Sequence, residues 1–95
     1  MEYLFDLGLT LEEINKIKNQ YDKKDLDKLQ FFPRLIITNY NYLKSYGIKN
    51  IKDCFINHVK IFFINPDKFR SIFNKYDRAD LVRCIEKNDA VLEKL

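Results

Sequence analysis

The stretch Leu9-Thr10-Leu11-Glu12-Glu13-Ile14 contains the clearest structural signal in the chain. The Thr10 hydroxyl can accept a hydrogen bond from the Glu13 amide, and the Glu13 carboxylate can reach back to the amide of Thr10. This reciprocal arrangement is a capping box. Leu9 and Ile14 flank the box at the positions where a hydrophobic staple closes the first helical turn. A helix is therefore predicted to begin at Thr10 and to continue to residue 20.

Further helix starts follow along the chain. Asp22 and Asp77 each follow a tyrosine, and each has another acid three residues later. An aspartate followed by an acid in the first turn is typical of the start of a helix. Asn65 precedes Pro66, and proline suits the first helical position because its missing N–H has no partner there. Gly47 fits either as the cap of the next helix or as the stop of the preceding one. The predicted helices cover residues 10–20, 22–30, 39–46, 49–60, 66–75, 77–87 and 88–95.

The sequence thus predicts an all-α fold, a small bundle or short stack of helical hairpins. Residues 34–38 and 59–64 leave an alternative open, because they are β-branched and aromatic and so have the composition of strands. If they paired, the fold would be α+β and would resemble a winged helix. Helix is favoured because no Asn-Gly or Asp-Gly hairpin signal joins the two segments. Both are expected at helix ends or in turns between helices.

Composition limits the kind of protein. Its 95 residues suit one domain covering residues 1–95, and 46 % hydrophobic and 15 % aromatic residues predict a bulky core. The opening residues lack a secretory signal, and no window approaches the roughly 20 apolar residues of a membrane span. A cytoplasmic location without membrane contact is therefore expected. Cys54 and Cys84 lie in apolar helical patterns and are predicted to be reduced and buried.

The inventory of reactive side chains argues against an enzyme. There is one histidine, and the two glycines are too far apart to form a phosphate-binding loop. Cys54 and His58 are spaced i,i+4 and could ligate a metal or activate a thiolate. No third and fourth ligand accompanies them, so core packing is the favoured interpretation. We predict no catalytic residue, no metal and no cofactor.

Positive charge is concentrated in the middle of the chain. Residues 34–78 hold nine Lys and Arg against three Asp, whereas both flanking segments are slightly acidic. Basic residues interleaved with tyrosines are typical of surfaces that bind phosphates and unpaired bases. A solvated lysine-rich surface is the simpler interpretation. The central set comprises Arg34, Lys44, Lys49, Lys52, Lys60, Lys68, Arg70, Lys75 and Arg78, with Tyr40, Tyr42, Tyr46 and Tyr76 between them.

A nucleic-acid-binding or regulatory function follows from this pattern, with DNA or RNA as the partner. The predicted nucleic-acid-binding residues are Lys44, Lys49, Lys52, Arg34, Lys60 and Tyr42. The alternative is a protein-interaction module, an adaptor or inhibitor, because exposed aromatic residues serve protein interfaces equally well. Its concrete form is a homodimer formed through Phe62-Phe63 or through Phe69 and Phe73.

Two segments also align at an offset of 30 residues, which suggests stacked helical hairpins. The offset pairs Tyr46 with Tyr76, Ile51 with Leu81, Cys54 with Cys84, Phe55 with Ile85, Ile61 with Val91 and Phe62 with Leu92. Coincidence between two capped amphipathic helices is the competing explanation.

Four stretches of the chain resemble parts of the mitochondrial transcription termination factor type of helical repeat. They are Asp6-Leu7-Gly8-Leu9-Thr10-Leu11-Glu12-Glu13-Ile14, Phe32-Pro33-Arg34-Leu35-Ile36, Leu43-Lys44-Ser45-Tyr46-Gly47-Ile48 and Glu86-Lys87-Asn88-Asp89-Ala90-Val91-Leu92. The last stretch lacks the proline of the family pattern. The resemblance implies a curved all-helical module whose relatives bind nucleic acid along a basic concave face, and it implies no catalytic residue.

Overall fold

The structure, a computed structural model, describes all 95 residues and contains helices and no strands. The fold is therefore all-α, as predicted, and the winged-helix alternative is wrong. The α helices are α1 Tyr3–Asp6, α2 Leu11–Gln20, α3 Lys23–Phe31, α4 Pro33–Tyr46, α5 Ile51–Asn57, α6 Pro66–Asn74 and α7 Arg78–Lys87. Two 3₁₀ helices, η1 Val59–Phe63 and η2 Asp89–Lys94, follow α5 and α7. The short α1 was not predicted from the sequence.

Local capping explains where most helices begin. The capping box is present, because the Glu13 amide donates to the Thr10 hydroxyl at 3.2 Å and the Thr10 amide donates to the Glu13 carboxylate at 2.8 Å. The predicted caps Asp22, Asn65 and Asp77 each accept a hydrogen bond from an amide in the first turn of the helix that follows. These helix starts are confirmed.

The segment of residues 34–38 lies inside a helix and not at a helix end or turn, so the predicted start at residue 39 is wrong. Helix α4 begins at Pro33 and runs for 14 residues. Ile36, Asn39, Tyr40 and Leu43 are buried at the i, i+3, i+4, i+7 spacing of one helical face. Burial of that continuous face outweighs the strand propensity of the β-branched residues.

The second strand-like segment forms η1, and His58 separates it from α5. The predicted continuous helix over residues 49–60 is therefore wrong at its C-terminal end. Val59 and Phe62 are both fully buried, and their i,i+3 spacing brings them onto one side of a 3₁₀ helix. The predicted helix over residues 88–95 likewise is a 3₁₀ helix, η2.

Helix α4 lies at the centre of the fold and contacts α3, α5, η1 and α6. Aromatic side chains fill the space around it. The Phe55 ring lies 5.5 Å from Tyr40 and 5.0 Å from Phe62 between centroids, while Phe69 and Phe73 lie 4.9 Å apart. Phe62, Phe69 and Phe73 are buried in this core, so their side chains are not on the surface where the predicted dimer contact would need them. Only Phe63 of that set is partly exposed.

The two cysteines have different environments. Cys54 is fully buried, as predicted, whereas Cys84 is exposed, which corrects the sequence-based prediction. The buried stripe of α7 consists of Leu81 and Ile85 only, because the main neighbour of this helix is the short η2. Cys54 and Cys84, which the 30-residue offset aligns, thus do not share an environment.

The longest helix has 14 residues, and no helix combines the length and apolar character needed to cross a bilayer.

Candidate functional site

A crevice of about 270 Å³ opens where the C-terminal ends of α4 and α6 meet the start of α7. We call it the tyrosine crevice. Its lining is aromatic with a few polar groups, the usual composition of a ligand site. The lining residues are Tyr42, Ser45, Tyr46, Phe73, Asn74, Tyr76 and Arg78.

The local sequence places these side chains together. Tyr42 and Tyr46 are four residues apart on α4 and therefore share a face. Gly47 ends α4 in a left-handed conformation with φ of 110°, so the chain turns away directly after Tyr46. Between α6 and the cap of α7 the chain is short, and Tyr76 on this link keeps 41 % of its surface exposed.

Hydrogen bonds and ring contacts fix the inner part of the crevice. The Tyr46 hydroxyl donates to the main-chain carbonyl of Phe73 at 3.2 Å, and the Tyr42 hydroxyl donates to the Asn74 side-chain oxygen at 3.0 Å. The Tyr46 ring lies 6.0 Å from Tyr42 and 5.7 Å from Phe73 between centroids. Burial raises the pKa of Tyr46, so its hydroxyl stays protonated at neutral pH. The aromatic walls of the crevice are therefore preformed and uncharged.

Two arginines supply positive charge to this surface. Arg78 lines the crevice, and the guanidinium carbon of Arg70 lies 5.7 Å from the centre of the Tyr42 ring. Neither arginine forms a salt bridge. Asp77, the acid that precedes Arg78 in the sequence, accepts a hydrogen bond from the Asp80 amide as the cap of α7. The guanidinium groups are thus available for an anionic ligand.

The predicted nucleic-acid-binding residues are spread over the surface. Tyr42 lines the crevice, and Lys44 is exposed on the same helix beside Ser45. Lys49 is exposed, and its main-chain amide donates to the Glu86 carboxylate at 2.9 Å.

None of the five predicted basic residues lines the crevice. The Lys52 ammonium lies 3.7 Å from the Glu13 carboxylate on α2, and that of Lys60 lies 3.8 Å from Asp25 on α3. Arg34 is exposed in the first turn of α4, at the opposite end of that helix from the crevice. Of the six predicted residues, the structure therefore brings only Tyr42 into the crevice.

Sequence reasoning did not select several residues of the crevice. Tyr46, Tyr76, Arg70 and Arg78 belong to the central basic set, and the i,i+4 spacing of Tyr42 and Tyr46 is a signal that could have singled out this face. Nothing in the local sequence indicates that Asn74 would meet α4, because that contact depends on how α6 packs.

His58 is held away from any reaction with Cys54. Its two ring nitrogens each lie 2.9 Å from a carboxylate oxygen, Nε2 from Asp89 and Nδ1 from Glu93. Burial alone would lower the pKa of His58, but the hydrogen bonds to these two carboxylates raise it above 6.5. Burial also raises the pKa of the Cys54 thiol to about 12. The pair therefore consists of an acid-bound imidazolium and an inert thiol.

No family model, curated protein sequence or solved structure matches the chain. The resemblance to the transcription termination factor repeat stays a prediction from sequence pattern, and the function is inferred from the geometry of the tyrosine crevice.

Proposed function

We propose that the protein is a non-enzymatic module that binds single-stranded DNA or RNA in the tyrosine crevice. The observation that carries this proposal is the exposed ring of Tyr76 beside the unpaired guanidinium of Arg78 in one aromatic crevice. Aromatic faces stack on bases, and guanidinium groups bind phosphates through paired N–H donors.

A single strand fits the crevice better than a duplex. The bases of a duplex are stacked on each other, so their faces are not available to a side chain, whereas an unpaired base offers its face to Tyr76. The volume of about 270 Å³ is near the lower limit of ligand sites, which start at about 300 Å³. It suits one base and not a larger ligand.

The lining groups support binding and not catalysis. The hydroxyls of Tyr42 and Tyr46 are already engaged with Asn74 and with the Phe73 carbonyl. The lining includes no histidine, cysteine or carboxylate that could act as a base or nucleophile.

Fluorescence anisotropy with labelled oligo-dT, oligo-U and a DNA duplex tests the proposal. The wild type should bind the single strands, and its affinity should fall steeply as salt is raised because phosphate contacts release counterions. Tyr76→Ala should weaken binding by about 10-fold or more, since stacking contributes about 1–3 kcal/mol per base. Tyr76→Phe keeps the ring and should bind nearly as well as the wild type.

Arg78→Ala should weaken binding to every sequence and lower the salt slope by about one unit. Lys18→Ala, which removes the same charge from the exposed side of α2, is the matched control and should have little effect. The sequence-based candidates Lys44, Lys49 and Lys52 are tested by a triple Ala variant. Loss of binding in that variant, with Tyr76→Ala and Arg78→Ala unaffected, would place the interface on the lysines and refute the crevice. If the wild type shows no salt-sensitive binding, the proposed function is wrong.

A protein partner is the second candidate function. The observation that favours it is the pair Phe31 and Phe32, two adjacent phenylalanines exposed outside the crevice. Exposed aromatic residues of this kind are enriched at the cores of protein interfaces.

A further inference from the structure

A mixed apolar and basic surface lies where α3, the start of α4 and η1 meet. Phe31 and Phe32 expose 68 % and 55 % of their surface there. An apolar crevice of about 210 Å³, lined by Lys28, Phe32, Leu35 and Phe63, shares Lys28 and Phe63 with a charged crevice of about 400 Å³. The two crevices therefore form one surface, which we call the basic face.

Lysines outnumber carboxylates on the open part of this face. Lys24, Lys28 and Lys60 line the charged crevice together with Asp22 and Asp25. Lys60 is paired with Asp25, and the Asp22 carboxylate accepts a hydrogen bond from the Asp25 amide as the cap of α3. Lys24 and Lys28 have no carboxylate partner. The Lys28 ammonium lies 5.5 Å from the centre of the Phe63 ring, so its charge sits directly on the apolar surface.

The N-terminal segment presents the opposite combination, which we call the acidic segment. Phe5 on α1 and Leu11 on α2 expose 50 % and 61 % of their surface. A tight turn joins the two helices, because the Gly8 amide donates to the Phe5 carbonyl at 2.9 Å. The exposed charges nearest in sequence are Glu2, Asp6 and Glu12, and none of these carboxylates forms a salt bridge.

We infer that the acidic segment of one copy docks on the basic face of a second copy. Four of the five large apolar side chains that the protein exposes lie on these two surfaces, Phe5 and Leu11 among acids and Phe31 and Phe32 among lysines. Removing these side chains from water drives the association, and the opposite charges set which surfaces meet. No residue of either surface lines the tyrosine crevice. Self-association and nucleic-acid binding can therefore be tested, and refuted, separately.

The geometry of this contact dictates the type of assembly. The two surfaces lie on neighbouring elements, because the Tyr3 hydroxyl of α1 donates to the Leu29 carbonyl of α3. Two copies related by a two-fold axis therefore bury both pairs of surfaces at once. The assembly therefore closes as a dimer, and it weakens in high salt because the charges are screened.

Sedimentation analysis of the full chain, without nucleic acid, tests the inference. The average mass should rise toward that of a dimer as protein concentration is raised from micromolar to millimolar, and this rise should be lost in high salt. Lys24→Glu with Phe31→Ser blocks the basic face, and Phe5→Ser with Glu12→Lys blocks the acidic segment. Each double variant should be monomeric on its own, with a circular dichroism spectrum like that of the wild type.

Mixing the two blocked proteins is the decisive step, because each retains the surface that the other lacks. The mixture should form a one-to-one dimer and nothing larger, which also shows that both variants are folded. A wild type that stays monomeric over the whole concentration range would overturn the inference. So would a wild type whose mass keeps rising beyond that of a dimer, or a mixture of blocked proteins that does not associate.

Discussion

The side-chain nitrogen of Asn39 lies 2.9 Å from the main-chain carbonyl oxygen of Phe62, inside the core. The same nitrogen donates a second hydrogen bond, at 2.7 Å, to the carbonyl of Ile64. These two carbonyls lie at the end of η1, where a 3₁₀ helix leaves its last acceptors without internal donors. One side-chain amide on α4 thus supplies hydrogen bonds to two carbonyls at the end of the neighbouring helix.

Asn39→Ala should lower the free energy of unfolding by about 3 kcal/mol, because it leaves two carbonyls without a partner and each costs about 1–3 kcal/mol when buried. Urea unfolding measures the change. Asn39→Asp should be at least as destabilising, since a carboxylate cannot donate to a carbonyl. Asn19→Ala, on the exposed side of α2, is the control and should change stability by less than about 0.5 kcal/mol. An Asn39→Ala variant as stable as this control would contradict the role assigned to the amide.

His58 should make stability depend on pH in a defined direction. Its folded-state pKa is raised above 6.5 by Asp89 and Glu93, so its stabilisation is complete below pH 6.5 and is lost as pH rises through the raised value. The hydrogen bond from His58 lowers the pKa of Asp89 below 3.8, so that stabilisation is present above this pH and is lost in stronger acid. The contribution of the cluster should therefore be largest between these limits.

Urea midpoints at about pH 5.5 and about pH 8.5 measure this effect, and the wild type should lose stability at the higher pH, because the charged imidazole that bonds both carboxylates is lost there. His58→Gln cannot become charged and should show little of this loss. An equal loss in the His58→Gln variant would assign the pH dependence to other groups.

The two thiols should react at very different rates. Cys84 is exposed, whereas Cys54 is fully buried with a pKa raised to about 12, so native protein should release one equivalent of chromophore from a disulfide reagent. A second equivalent should appear only after unfolding. Cys84→Ser should abolish the fast reaction, and Cys54→Ser should leave it unchanged. Two fast equivalents from native protein would mean that the core around Cys54 opens readily.

Gly47→Ala should destabilise the protein through the backbone and not through crowding. The residue has φ of 110°, and a Cβ built there meets no atom within 4 Å. The expected cost is about 1–2 kcal/mol, the penalty of a left-handed conformation for a residue with a side chain. Gly47→Asn should cost less, because asparagine tolerates this conformation. Thermal unfolding measures both variants, and equal stability of all three proteins would contradict the assignment.

The helix starts could be predicted from the sequence because their causes are local. The reciprocal bonds of Thr10 and Glu13 join residues three apart, and Asp22 and Asp77 cap helices that begin at the next residue. The start of α4 could not be predicted in this way. Residues 34–38 have strand composition, and what makes them helical is the burial of Ile36 against other elements.

The candidate site was predictable in part for the same reason. Tyr42 and the basic residues around it follow from composition, but the crevice depends on Tyr42 meeting Asn74 and Arg78, more than 30 positions away. The sequence also does not show which lysines form ion pairs. Lys52 and Lys60 are residues of the type that binds phosphate, but the fold places each of them beside a carboxylate.

The central position of α4 also has a consequence for the rate of folding. Its partners α3, α5, η1 and α6 all contact α4 in the native state, so α4 with its nearest partners is the expected folding nucleus. Substitutions on its buried face, such as Leu43→Ala, should mainly slow refolding. Substitutions in η2, the last element of the chain, should leave the refolding rate nearly unchanged and accelerate unfolding. We therefore expect contacts at the C-terminal end to set the lifetime of the native state, and contacts around α4 to set the rate at which it forms.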